Sequence, residues 1–191
     1  MGGILMSKTA LLVIDAQVGI IEGPSIGPVY KKKEVLDVMK TIVAKAREQG
    51  VPIVYIQDLD VGEDNPKEQE IHPDLQPLDS DIIIKKKATN AFFQTPLYET
   101  LKEMSVEHVV VIGVKTEYCV DTTSRSATSL GFDVTLVADG HSTTNNKVLD
   151  AEQIIAHHNC NLHGLDNVDH FVLVRNSGEN VFEHKHLEYK D

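Results

Sequence analysis

The chain has 191 residues, which is enough for one domain with a sizeable core. Its 18 Lys+Arg against 29 Asp+Glu give a net charge of -11, which argues against binding to nucleic acid or to an anionic membrane surface. Two cysteines with no close spacing exclude a disulfide framework and a zinc cluster. With no signal peptide and no apolar stretch near the roughly 20 residues of a membrane span, we expect a soluble, cytoplasmic, single-domain protein over residues 1–191.

The first part of the chain predicts a strand, a helix and a second strand. Residues 10–14 form an unbroken apolar run that ends at Asp15, as in a strand buried on both faces. Residues 33–49 carry apolar side chains at helical spacing, and Gly50 follows as a stop. Residues 52–57 predict the next strand. Such a unit usually places its two strands parallel, with a right-handed crossover.

Residues 58–81 are polar and proline-marked, and they predict a long loop. Such a loop is often a lid or a binding loop, although it can also be only an exposed insertion. Residues 82–84 predict a third strand, which runs into Lys85, Lys86 and Lys87. A short helix is expected at about 96–104, because proline suits the first turn of a helix.

The segment around Cys119 combines a buried strand with the start of a helix. Residues 109–112 are apolar and mostly β-branched, Gly113 ends the run, Thr116 is a candidate N-cap, and residues 117–130 predict a helix. Cys119 would then lie in the first helical turn, where the helix dipole lowers a thiol pKa from its usual value of about 8.5. The alternative is that Cys119 is a small packing residue, as most cysteines are.

The last part of the chain continues the alternation of strands and helices. Residues 133–137 predict a strand, residues 146–158 a helix, and residues 171–174 a final strand, followed by a charged tail at 178–191 that forms a short helix or an arm. The helix would face inward with Val148, Leu149, Ile154 and Ile155. The pattern predicts a three-layer α/β fold with a mostly parallel sheet of about six strands and a core at about 9–174.

Three reactive groups follow predicted strands that run in the same direction. Asp15, a lysine of the 85–87 run and Cys119 would meet beyond the carboxyl ends of these strands. A carboxylate can take the thiol proton, an ammonium can hold both anions, and a thiolate can attack an acyl carbon. Each has an ordinary alternative, since the acid can cap a loop and the lysines can be solvated charge. Alternation favours Lys86 if Ile84 faces the pocket.

Three motifs resemble the isochorismatase-like cysteine hydrolases. They are LVIDAQ at 12–17, Lys86 with NAF at 90–92 and TPL at 95–97, and GVKTEYCV at 113–120. The resemblance covers about 9–174, and it implies a Rossmann-like sheet with a catalytic triad of Asp15, Lys86 and Cys119. It also implies a non-proline cis peptide before Lys115, and a homo-oligomer such as a dimer or tetramer. Gln94 departs from the pattern, because glycine is common at its position.

The resemblance further assigns the groups around the nucleophile. The backbone N–H groups of Lys115 and Cys119 would form an oxyanion hole, which is worth on the order of 3 kcal/mol per donor to a transition state. Gln17, Phe92 and Tyr118 are the expected substrate-binding residues, and Phe93 is a further aromatic candidate. Family members that cleave the vinyl ether of isochorismate tend to lack the cysteine. Its presence here points to cleavage of a C–N bond in a small molecule.

No metal or other cofactor is expected. Nicotinamidase-like members carry an Asp-x-His pair after the second strand, where this chain has Asp58 and Asp60, with only His72 further on. These three could supply hard ligands to a metal-dependent hydrolase. A thiol-based binding or redox-sensing protein without hydrolytic turnover is the other alternative.

The remaining histidines and the second cysteine have weaker assignments. His141 could line the site, although a surface or loop-capping role is favoured. His157 and His158 are expected at the surface or at an interface between subunits. Cys160 is expected to be a packing residue.

Overall fold

The protein, described by a computed structural model over residues 8–62 and 64–189, has a mixed α/β fold. The strands are β1 (Thr9–Ile14), β2 (Ile53–Asp58), β3 (Ile82–Lys86), β4 (His108–Val114), β5 (Asp133–Ser142), β6 (Asp166–Asn167) and β7 (His170–Arg175). The helices are α1 (Val18–Ile21), α2 (Lys32–Glu48), α3 (Pro66–Gln69), α4 (Leu97–Glu103), α5 (Asp121–Ser129) and α6 (Ala151–Leu162). A π-helical turn (Thr116–Val120) precedes α5, and two 3-10 turns lie at Pro73–Leu75 and Lys185–Glu188.

The seven strands form one sheet in the order β3-β2-β1-β4-β5-β7-β6. All neighbours pair in parallel except β6 and β7, which are antiparallel. The predicted α/β class with a mostly parallel sheet is confirmed. The strand number is seven instead of about six, because the two-residue β6 is too short to leave a hydrophobic pattern.

Helices cover both faces of the sheet, so its central strands are buried on both sides. Leu11 and Val13 of β1 point toward α2, whereas Ala10, Leu12 and Ile14 share a second cluster with side chains of α4, α5 and α6. This alternation is the period of two that a strand imposes on its side chains. It explains why the buried strands read as continuous apolar runs.

One predicted helix begins later than expected. Helix α6 starts at Ala151, because Asp150 forms a capping box with Gln153. The prediction that Val148 and Leu149 face inward is therefore wrong: they lie before the helix and are 86% and 36% exposed. The predicted inward position of Ile154 is confirmed, since it is 2% exposed.

The segment before β3 also differs in detail from its prediction. The 58–81 segment contains α3 and a 3-10 turn, so it is not a structureless loop. No helix among the described residues is long and apolar enough to cross a membrane.

The C-terminal arm, residues 178–189, folds back under the amino ends of the strands. Val181, Phe182 and His186 are buried, and the ring of His186 binds the carbonyl oxygen of Val134 in β5. The arm ends in the 3-10 turn Lys185–Glu188, which matches the predicted short helix or arm.

Candidate active site

The structure brings Asp15, Lys86 and Cys119 together at the carboxyl edge of the sheet. The Lys86 Nζ lies 2.9 Å from Asp15 Oδ2 and 3.4 Å from Cys119 Sγ. Asp15 is 0%, Lys86 2% and Cys119 8% exposed. Ile84 and Lys86 are buried while Lys85 and Lys87 are exposed, as the alternation along a strand predicts. The predicted meeting of these three side chains is thus found.

The backbone at this edge is unusual at two neighbouring positions. Asp15 has a φ of 48°, a left-handed conformation that Asp and Asn adopt more readily than most other residues. Gly113 of β4 has a φ of 141°, and a Cβ there would stand 2.1 Å from the carbonyl oxygen of Ile14. Glycine therefore allows β4 to lie against β1 where the chain turns toward Asp15 and Cys119.

A second carboxylate, which the sequence did not assign to this site, also pairs with Lys86. Asp58 Oδ2 lies 2.5 Å from Lys86 Nζ, and Asp58 aligns with Lys86 in the β2–β3 pairing. The ammonium is therefore held between Asp15 and Asp58. The sequence carries a signal for this pairing, because Asp58 lies at the end of a strand on the same edge as Asp15, although only a metal-ligand role is predicted for it.

The alternative set of metal ligands does not converge. The ring of His72 lies 3.2 Å from Glu22 Oε1 and accepts the N–H of Asp74, so both of its nitrogens have partners other than Asp58. Asp60 is exposed and contacts Asp58 through its backbone N–H. Among the residues that the structure describes, Asp58, Asp60 and His72 do not fit a common metal ion.

The ionisation of the site differs from the sequence expectation. Burial raises the pKa of Cys119 to about 12, and the neighbouring Asp15 carboxylate adds to this effect. The predicted lowering of this pKa is therefore wrong, because burial disfavours the thiolate and the adjacent Asp15 carboxylate repels it. Burial also raises the pKa of Asp15 to about 6, although Lys86 opposes the change. At neutral pH the pair rests as a thiol beside a carboxylate.

Lys86 is held as an ammonium in this buried setting. Burial alone would lower its pKa, but Asp15, Cys119 and Asp58 together raise the pKa above its usual value. The positive charge thus stays in place beside the sulfur and both carboxylates.

The segment that carries Cys119 follows the cis peptide that the resemblance implied, between Val114 and Lys115. Cys119 lies in the π-helical turn and not in a regular α-helix. Thr116 does not cap the helix through its side chain, contrary to the prediction, since its hydroxyl pairs with His141 Nδ1 at 2.9 Å. The Lys115 side chain donates to the Thr144 hydroxyl.

His141 connects the nucleophile segment to α6, a role that the sequence did not reveal. Its Nε2 lies 2.9 Å from Asn159 Oδ1, and the Asn159 amide nitrogen donates to the carbonyl oxygen of Ala138. Because Asn159 Oδ1 can only accept, Nε2 carries the hydrogen and Nδ1 accepts from the Thr116 hydroxyl. Complete burial lowers the pKa of His141 to about 4, so the ring is neutral.

Gln17 occupies a structural position instead of the expected substrate contact. It is 0% exposed, and its amide nitrogen donates to the carbonyl oxygens of Asp58 and Gln69. Its oxygen accepts the backbone N–H of Asp58. The side chain therefore fixes the end of β2 behind the site and ties it to the 58–81 segment.

The aromatic candidates divide into one buried and two exposed rings. Phe92 is 9% exposed and stacks on Phe132 with ring centroids 6.0 Å apart, so it belongs mainly to the core. Phe93 is 55% exposed and lines a cleft of about 400 Å³ together with Lys86. Tyr118 is 53% exposed beside Cys119. Gln94, where the family commonly has glycine, also lines the cleft and has a φ of 54°.

The other two histidines of this region and the second cysteine all lie on α6. His157 is exposed on α6, and His158 is partly buried with its ring on the carbonyl oxygen of Ile154. The prediction that Cys160 is a packing residue is wrong, because this cysteine is exposed on α6.

Comparison with known proteins agrees with the motifs and the fold. Residues 9–157 match the family model for the Isochorismatase domain. The uncharacterized isochorismatase family protein YddQ of Bacillus subtilis (strain 168) is 31% identical over 156 residues, 76% of this chain and 86% of that relative. Streptothricin hydrolase of Streptomyces noursei is 31% identical over 70% of this chain but only 49% of its own length, so the match spans about half of that relative.

A solved structure described as an isochorismatase family protein superposes with a TM-score of 0.78 at 35% identity. The match covers 88% of this chain and 98% of that structure. The chain therefore belongs to the isochorismatase family and is an enzyme of the hydrolase class.

Proposed function

We propose that this hydrolase cleaves an amide-type C–N bond of a small molecule through a thioester on Cys119. The observation that carries the proposal is the position of the Lys86 ammonium, 2.9 Å from the Asp15 carboxylate and 3.4 Å from the Cys119 sulfur. A base, a nucleophile and a fixed positive charge within contact distance are the groups that acyl transfer to sulfur requires.

In the first half-reaction the thiol proton moves to Asp15 as Sγ attacks the carbonyl carbon. Because the pKa of Cys119 lies near 12 and that of Asp15 near 6, a free thiolate is costly, and we infer that proton transfer accompanies C–S bond formation. The N–H groups of Lys115 and Cys119 are proposed to bind the oxyanion. Asp15 then gives its proton to the leaving nitrogen, and an amine or ammonia departs.

In the second half-reaction water attacks the thioester. Asp15, again a carboxylate, takes a proton from this water, the carbon–sulfur bond breaks, and the sulfur regains the proton. The products are the carboxylic acid and the restored enzyme. Asp58 is proposed to keep Lys86 charged and in position while Asp15 is protonated, since it stays paired with Nζ at 2.5 Å.

A panel of primary amides, with ammonia as the readout, tests this proposal. We expect turnover by the native chain, complete loss in Cys119→Ala, and unchanged turnover in the control Cys160→Ala, since Cys160 is exposed on α6. Mass spectrometry of the enzyme during turnover should show an acyl adduct on the peptide that contains Cys119. Turnover that survives Cys119→Ala would refute the mechanism.

A redox-sensing role for the same cysteine is less well supported. Sensor cysteines have low pKa values and are accessible to solvent, whereas Cys119 is buried and its pKa is raised. A homo-oligomer remains our proposal from the family resemblance, and light scattering of the purified chain tests it.

A further inference from the structure

We propose that the protein binds one divalent transition-metal ion, such as Zn²⁺, at its C-terminal arm through Asp133, His184 and His186. One potential ligand atom from each of the three side chains lies within 4.8 Å of the other two. Two imidazoles and a carboxylate suit Zn²⁺, and they leave the fourth tetrahedral position to a water molecule. The same side chains also tie the arm to β5 through hydrogen bonds, and the proposed reaction does not involve them.

The site joins two distant parts of the chain. Asp133 begins β5, and the two histidines belong to the arm, more than fifty residues later. These residues lie at the amino edge of the sheet, where Asp133 aligns with His108 of β4. Cys119 follows the opposite end of β4, about 20 Å away by the rise of a strand. The metal is therefore proposed to stabilise the arm and takes no part in the reaction.

The hydrogen bond of His186 fixes the ring tautomer that a metal ligand at Nδ1 needs. Its Nε2 lies 2.8 Å from the carbonyl oxygen of Val134, which can only accept a hydrogen bond. Nε2 therefore carries the hydrogen, and the lone pair is on Nδ1. Ligand histidines usually donate their second ring N–H to a carbonyl or carboxylate in this way, because the hydrogen bond fixes the tautomer and the ring orientation.

His184 and Asp133 are already in contact, at 2.7 Å between Nε2 and Oδ2. Two ligands of tetrahedral zinc stand about 3.3 Å apart, given bonds of about 2.0 Å, so this pair must open by about half an ångström. The ring hydrogen would move from Nε2 to Nδ1, a change of tautomer that leaves the ring neutral.

The surroundings restrict these side chains to positions near the proposed site. Asp133 is 1% exposed, and its other oxygen lies 3.3 Å from His170 Nδ1. His108 stacks on His184 with ring centroids 4.7 Å apart. The His184 side chain is 14% exposed, which leaves a path by which an ion can enter.

The experiment compares zinc binding by the chelator-treated full chain with binding by variants. We expect about one Zn²⁺ per chain by calorimetry, and an unfolding midpoint that rises by roughly 5 to 10 °C at a hundredfold excess over Kd. His184→Ala should weaken binding at least tenfold and remove the rise. His157→Ala, which deletes an exposed imidazole on α6, should leave both unchanged.

Among the described residues, the only other cluster of possible metal ligands consists of Asp15, Asp58 and Cys119. The variant Cys119→Ala removes one ligand of that cluster and so tests which of the two clusters binds zinc. This variant should bind zinc as the native chain does, and lost binding would overturn the proposal. Equal binding by the native chain and His184→Ala, or no binding by the native chain, would also overturn it.

Should His184→Ala fail to fold, cobalt in the native chain decides the question. A tetrahedral Co²⁺ spectrum without sulfur-to-metal charge transfer supports the proposal. An octahedral spectrum, or one with thiolate character, overturns it.

Discussion

The raised pKa of Cys119 leads to a prediction that needs no knowledge of the substrate. In a Cys160→Ser background, alkylation by iodoacetamide is expected to modify Cys119 slowly at pH 7.5. The reason is that the Cys119 thiol is buried beside the Asp15 carboxylate, which raises its pKa to about 12. Burial and the neighbouring Asp15 charge act on the thiol only in the folded protein, so the alkylation rate of the urea-unfolded protein provides the reference.

The size of the effect follows from the two pKa values. At pH 7.5 a thiol of pKa about 12 is ionised roughly three thousandfold less than one of pKa 8.5. A more basic thiolate is intrinsically more nucleophilic, which recovers a factor of about 40. The folded protein should therefore react about a hundredfold more slowly than the unfolded chain. Its rate should show no titration step centred between pH 7.5 and 9.5.

The assay is intact-mass spectrometry of quenched samples, and Asp15→Asn is the matched variant. Asparagine keeps the shape of the side chain and tolerates the φ of 48° at this position, but it removes the negative charge. Alkylation should become faster in this variant, although amide hydrolysis should be lost. A step near pH 8.5 in the parent, or an unchanged rate in Asp15→Asn, would refute our account of the thiol.

Three further predictions concern other parts of the structure. Asp58→Asn should reduce kcat/KM for ammonia release roughly ten- to a hundredfold, because Lys86 loses one of its two carboxylate partners. The control Asp60→Asn changes an exposed carboxylate and should leave kcat/KM unchanged, and equal kcat/KM values for the two variants would contradict the proposed role of Asp58. The pKa of His141 is about 4 in the folded protein and 6.5 in the unfolded chain, so between pH 7 and 5 a proton binds to the unfolded chain and not to the folded one. Lowering the pH over this range should therefore reduce the free energy of unfolding by about 2 kcal/mol through this residue. Urea titrations should show a shallower pH dependence in His141→Gln, and an identical slope would count against the assignment. Gly113→Ala should lower the free energy of unfolding by more than about 3 kcal/mol, since the alanine Cβ would collide with backbone atoms of Ile14. A loss below about 1 kcal/mol would show that β4 can move away from β1 to make room for it.

The sequence was most informative where local patterns determine the structure. Apolar runs located β1 and β4, and the residues at the ends of those runs indicated Asp15 and Cys119, because parallel strands end at a common edge. The choice of Lys86 followed from alternation and from the family motif together. The strand predictions needed only the strand period and the direction of the chain, whereas the choice of Lys86 also needed the motif.

The sequence was less informative where tertiary contacts decide. The dipole argument gave the wrong direction for the Cys119 pKa, because burial and the Asp15 charge are known only after folding. The pairing of Asp58 with Lys86 depends on the register of β2 and β3. The position of the C-terminal arm under β5 depends on contacts between residues more than fifty positions apart, for which no local pattern exists.

The charges of the site suggest why the lysine is held by two carboxylates. At rest Asp15 and Asp58 are negative, Lys86 is positive and Cys119 is neutral, which leaves one net negative charge. When the thiol proton moves to Asp15 and an oxyanion forms on a neutral substrate, the net charge of the site is unchanged. Charge is moved within a buried site and none is created there, which limits the desolvation cost of the step.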